Sequence, residues 1–155
     1  YDACVEQMYA ELSALQEQLL PLLSSGDTVE ELLPMAVRRG FRFACEHRLA
    51  MRMLNRQVIE AGTLSADRRM RFQAPFLALI TAAFAHTGRP AAQIRLSAQT
   101  VVMLLARYAI STPEELGFFV QGGREEALLA VEDHLVEVAC ALLLKKFPQA
   151  RGAAG

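Results

Sequence analysis

The stretch from Thr112 to Lys146, TPEELGFFVQGGREEALLAVEDHLVEVACALLLKK, restricts the fold more than any other part of the chain. It reads as a short capped helical turn, a break at Gln121, Gly122 and Gly123, and one long final helix. On a wheel of 3.6 residues per turn, Leu128, Val131, Leu135, Val138, Ala139 and Leu142 form one stripe. Leu129, Val136, Cys140 and Leu143 make a second row beside it. One row can be buried by the chain's own helices, and a helix apolar over about two thirds of its circumference faces another subunit as well. A helical homodimer is expected, with Leu128, Leu129, Leu135, Val136, Ala139 and Leu143 at the interface. The wheel leaves open which row makes it.

The preceding chain is helical throughout. Val5, Met8, Leu12, Leu15, Leu19 and Leu22 step by three and four through a first helix that Pro21 should bend or end, with Ser24, Ser25 and Gly26 as the turn. Asp27 and Glu30 resemble a capping box opening a second helix to about Glu46, kinked at Pro34, whose Arg38, Arg39 and Arg42 side faces water or another domain. Leu49 to Ala61 form a third helix closed by Gly62. Its Arg48, Arg52 and Arg56 share a ridge opposite Ala50, Met53, Leu54, Gln57 and Val58. Ser65 starts a fourth helix to about Thr87, apolar nearly all round beyond its charged first turn and therefore expected at the centre of the fold. Pro90 suits a first helical position of a fifth helix to about Ile110, with Ile94, Ala98, Val101, Val102, Leu105 and Tyr108 inward. The fold class is all-α, about six helices plus a short helical turn. Residues 1–146 are read as one domain and 147–155 as a flexible tail.

A chain of 155 residues with 53% hydrophobic and 21% charged residues can bury a core without staples. Its net charge of −1 and pI near 6.4 give no electrostatic grip on a phosphate backbone. Cys4, Cys45 and Cys140 are odd in number and widely spaced, which argues against a disulfide scaffold or zinc site and for a reducing cytoplasm. The longest strongly apolar run, Phe76 to Ala85, is half the ~20 residues of a membrane span, so no membrane partner is expected. Tyr1 already lies in helical pattern and reads as an artificial start.

Di-iron bundles need Glu-x-x-His pairs, and Ala44, Ala83 and Val131 stand three residues before His47, His86 and His134. Phosphate loops, nucleophile elbows, H-E-x-x-H and the dinucleotide fingerprint are also absent. No enzyme activity, no cofactor and no metal is expected. His47 and His134 read as cap or surface residues; Cys45 lies near arginines that would lower a thiol's pKa, against the plainer reading of a packed cysteine. The Arg48, Arg52, Arg56 ridge admits three readings: a solvated face, a phosphate contact, or a contact with a further domain. Phe41, Met53, Leu54, Gln57, Phe72, Gln73, Phe76 and Tyr108 fall on inward faces, where two amides among apolar side chains want a partner that a ligand could supply. Such a ligand is small, partly hydrophobic and uncharged.

Three segments, YDACVEQMYAEL, FRFACEHRLAMRMLNRQVIEAG and TPEELGFFVQGGREEALLAVEDHLVEVACALLL, make the chain resemble the C-terminal ligand-binding and dimerisation domain of a TetR-type transcriptional regulator. The resemblance covers essentially the whole chain. It implies that operator DNA is read only by an N-terminal helix-turn-helix domain missing here. It also implies a cavity among helices one to five and a four-helix-bundle dimer of the fifth and final long helices. On that basis Arg48, Arg52 and Arg56 are expected to contact the missing DNA-binding domain. The regulator is expected to be a repressor released from DNA by its ligand. The competing expectation is a helical protein–protein interaction module without a cavity; a metal-free helical enzyme is a third.

Overall fold

Caps and breakers decide where the helices start. The computed structural model of the chain describes residues 2–24 and 28–144, without the side chains of residues 2, 19, 20, 23 and 24. The described elements are α1 (Asp2–Ser24), α2 (Val29–Glu46), α3 (Arg48–Ala61), α4 (Ala66–Arg68), a π-helical stretch (Arg69–Gln73), α5 (Ala74–Ala83) and a 3-10 turn (Ala85–Thr87). They continue with α6 (Ala91–Ile110), α7 (Pro113–Phe119) and α8 (Arg124–Leu143). The all-α class is borne out, with α7 as the short turn, and no described residue is in a strand. The expected tail, residues 147–155, lies outside the described residues, as do Ser25, Gly26 and Asp27.

The box that opens α2 is one residue later than expected. The Thr28 hydroxyl accepts from the Glu31 N–H, and the Glu31 carboxylate accepts from the Thr28 N–H at 3.1 Å. Both registers of DTVEE satisfy the pattern, and this one leaves Glu30 to reach across to His86, Oε1 to Nε2 3.0 Å. α1 runs through Pro21 and α2 through Pro34 without ending. Gly62, at φ 74°, closes α3 as expected. Pro90 is the N-cap of α6 rather than its first helical residue.

α2, α6 and α8 pack mutually around the main core, where Val37, Phe41, Ile94, Val101, Val131 and Leu135 are buried. A satellite cluster joins α1 to α3 and the π-helical stretch: Val5, Met8, Tyr9 and Ala50 are buried, and Met53, Leu54 and Phe72 cover them in part. Met51 borders both clusters. The stretch expected as one fourth helix is divided into four pieces, and only its end reaches the main core, where Phe84 is buried with Ile80 and Ala83 against it. α4, the π-helical stretch and α5 contain no fully buried residue, although α5 is almost wholly apolar. Its π-helical turn has a local cause: Pro75 has no N–H to offer the preceding turn, and the Ala74 N–H bonds the Arg69 carbonyl five residues back.

A buried arginine, Arg89, and a half-buried one, Arg48, finish two helices. Arg89 donates to the Leu142 carbonyl at the end of α8, and Arg48 to the Ser111 carbonyl beyond the end of α6. Carbonyls in a last turn lack intrahelical partners, and a guanidinium satisfies them while opposing the dipole's negative end.

His86 ties the 3-10 turn to α2. Its Nδ1 lies 3.0 Å from the Ala83 carbonyl, while Nε2 faces Glu30. Hydrogen bonding to Glu30, then to Ala83, raises the imidazole above its ordinary 6.5; the bond from His86 lowers the Glu30 carboxyl. A raised histidine stabilises the fold below its unfolded pKa, and that contribution disappears as pH rises through the folded value. A lowered carboxyl contributes above its unfolded pKa, and its share disappears as pH falls through the folded value. The latch is therefore closed between the Glu30 and His86 midpoints. In an NMR titration the His86 midpoint should lie above 6.5 and return toward it in Glu30→Gln; an unchanged midpoint would remove Glu30 as the cause.

Candidate functional site

The eight residues expected around one ligand are dispersed. Phe41 is 1% exposed and occupied in the main core. Tyr108 also packs against that core, edge-on to His134 at 6.3 Å between centroids, and lines a small cavity of about 140 Å³ with Leu116, Phe119, Val120 and Val131. Phe76 is half-buried on α5. The Gln73 amide donates to Gln99 of α6 at 3.1 Å, so that amide finds its partner inside the chain. Only Met53, Leu54, Gln57 and Phe72 converge, at the satellite cluster and its edge.

That cluster has a polar centre that wheel faces did not reveal. The Arg68 guanidinium, its side chain 12% exposed, donates to Gln57 Oε1 at 2.6 Å and to Glu6 Oε1 of α1 at 3.4 Å. It also lies 5.9 Å from the centroid of the Tyr9 ring, which stacks on Phe72 at 4.1 Å. Burial pushes the Tyr9 phenol up, and Arg68 opposes the shift. Arg71 lies 3.8 Å from the other Glu6 oxygen and 5.2 Å from the Phe72 ring centroid. Pro75 was the one sequence signal for this arrangement, because a proline just inside a helix predicts a break in hydrogen-bond register.

The arginine ridge of α3 is largely engaged within the chain. Arg48 and Arg52 both donate to the Ile110 carbonyl at 3.3 Å, and Arg56 pairs with Glu60 at 2.7 Å. The Arg38 and Arg42 side does not simply face water either. Arg42 grips Glu132 through Nε–Oε1 at 2.7 Å and Nη2–Oε2 at 3.1 Å, and Arg38 spans Glu132 at 3.4 Å and Asp133 at 2.6 Å. Glu132, at 4% exposure, is a carboxylate inside the α2–α8 contact. Arg39 is exposed.

Three of the six expected interface residues belong to the chain's own core. Leu135 and Ala139 of one row have no exposure and Leu143 of the other is buried with them, because α2 and α6 cover parts of both rows. Leu128 and Val136 pack against the same core, and Leu129 is exposed. The open side of α8 carries instead a shallow apolar depression of about 680 Å³ lined by His134, Glu137, Val138, Cys140, Ala141 and Leu144. It adjoins the Tyr108 cavity through His134.

His47 Nε2 is 3.0 Å from Glu11 Oε2, with its ring against Phe43. Burial raises the Cys45 thiol, outweighing the opposite pull of Arg48, in keeping with the plainer reading of a packed cysteine. Burial raises Cys140 too. Among the described residues no three His, Cys, Asp or Glu side chains are grouped to hold a metal ion, and no helix is long and apolar enough to cross a membrane. The satellite cluster thus presents an aromatic and methionine wall around a guanidinium, attached to α1. No family model matches the chain, and no curated protein or solved structure matches it.

Proposed function

We propose that the chain is the effector-sensing and dimerising domain of a TetR-like transcriptional regulator, acting on operator DNA only through an N-terminal domain and working in the cytoplasm. The observation that carries this is uneven packing. α2, α6 and α8 enclose a closed core, whereas α3 buries only Ala50 fully and the apolar α5 buries nothing fully. Half-covered apolar surface forgoes roughly 25 cal/mol per Å² of possible stabilisation, which a partly hydrophobic ligand seated among α1, α3 and α5 recovers. Methionines suit such a seam, since their unbranched side chains refill space around differing ligands. α1 forms one wall, so ligand that favours one placement of α1 shifts the population of operator-binding states by its difference in affinity.

Dimerisation uses the open side of α8, with α6 beside it, in place of the buried side. Light scattering behind size exclusion should find a dimer that Val138→Glu and Ala141→Glu convert to helical monomers. A monomeric parent chain, or two intact dimeric variants, would exclude this face.

For the sensing half, a library of partly apolar compounds is scanned for raised melting temperature. A ligand at a hundredfold its Kd adds about 2.7 kcal/mol to the native state. No shift with any compound would remove the effector and favour an interaction module. That second reading draws on Phe118 and Phe119, an edge-on pair at the end of α7 with 87% and 68% exposure.

A further inference from the structure

The geometry points to a second binding site, between α6, α7 and α8, for an uncharged single aromatic ring that carries one hydroxyl. It lies apart from the seam of α1, α3 and α5 and does not rest on the effector reading. The cavity there has a volume of about 140 Å³, and an apolar cavity of about 150 Å³ stays dry and takes up benzene. Its origin is local. α7 has only seven residues before the Gly122–Gly123 break, and Ala130 of α8 contributes no more than a methyl group to the wall.

Three of the seven lining side chains are rings, Tyr108, Phe119 and His134, while Leu116, Val120 and Val131 supply aliphatic wall. Edge-to-face and offset ring pairs attract beyond the area they bury, which favours a ring over an alkyl group of equal size. Phe119 is 68% exposed although it lines the cavity, so a ring seated there also covers apolar surface that faces water. His134 supplies polar recognition. It lines both the cavity and the depression on the open side of α8, so it stands where the two meet. Among the described residues its imidazole makes no hydrogen bond, and neither does the Tyr108 hydroxyl. A neutral imidazole has one donor and one acceptor nitrogen, and a hydroxyl can meet either. Charge argues against an acid. Arg107, one residue before Tyr108, donates to Glu115 and to Ser111 Oγ at 2.7 Å, while Glu137 lines the depression beside His134. A carboxylate at this mouth would face the Glu137 charge, with Arg107 already committed.

The test is an NMR titration of the isotope-labelled chain with phenol, toluene and benzoate at neutral pH. Phenol should give saturable shifts at Leu116, Val120, Ala130 and His134 with a Kd of about 1 mM. It should bind roughly two- to tenfold more tightly than toluene, the range of a neutral hydrogen bond, and more tightly than benzoate. His134→Leu should remove the preference for phenol while toluene still binds. Ala130→Leu fills the cavity and should abolish the shifts from both neutral rings. Equal affinity for phenol and toluene, or benzoate binding as tightly as phenol, overturns the hydroxyl-bearing neutral ring. Undiminished phenol binding in Ala130→Leu overturns the site. Should Ala130→Leu fail to fold, the shifted residues of the parent chain decide: shifts at Met53, Leu54 and Phe72 in place of those around Ala130 overturn this site and leave the effector seam standing. No saturable shift with any of the three rings overturns the proposal, whatever the seam binds.

Discussion

Replacing Arg38 and Arg42 together by alanine should lower the unfolding free energy by about 3 kcal/mol, the cost of stranding the Glu132 carboxylate in a buried contact. The Arg42 side chain is 62% exposed and that of Arg38 37%, whereas Glu132 is buried, so most of the cost belongs to the acid they screen. Either single change should be milder, because the remaining guanidinium still reaches Oε2. Adding Glu132→Leu to the double variant should restore most of the loss, since a packed apolar side chain replaces an orphaned charge. Urea unfolding of the double and triple variants decides the matter. If the triple variant is no more stable than the double, the arginine stems covering α8 were the stabilising part and the ion pair was not.

Leu135→Ala should cost about 2–5 kcal/mol, because the side chain has no exposure and the helices around it cannot close fully over the void. Phe72→Ala removes more atoms, yet it should cost less than Leu135→Ala. Its ring is half-buried in a cluster of which only four residues are fully buried. The two values, measured by the same urea titration, test the division into a closed core and a loose seam. Equal or reversed costs would mean that the satellite cluster is packed as tightly as the rest, and the room proposed for a ligand would go with it.

Much of the fold was legible in the residues. Periodicity placed the long helices, the Thr112 cap and the Gly122–Gly123 break appear where expected, and Gly62 ends α3 in a left-handed conformation. These are local matters: a hydroxyl three residues from an N–H, or a missing Cβ, acts within one turn. The candidate site was far less legible. Phe41 and Tyr108 face inward, but toward the main core, while Tyr9, Glu6 and Arg68 come from stretches that look like an ordinary amphipathic helix and a charged first turn. Arg48 and Arg52 look like a solvated ridge until the end of α6 stands beside them.

What the sequence by itself determined was the approximate span of the other long helices and which sides are apolar, but not the division of the Ser65 to Thr87 stretch into α4, a π-helical stretch, α5 and a 3-10 turn. It did not determine which apolar side meets which neighbour. On α8 both rows look equally ready for burial, and the packing of α2 and α6 assigned Leu135, Ala139 and Leu143 to the core while leaving Val138, Ala141 and Leu144 along the open depression. α5, apolar nearly all round, ended without a fully buried residue. A wheel fixes a side chain's direction about one axis, whereas burial depends on what other helices place in that direction, and that is settled only when the helices pack.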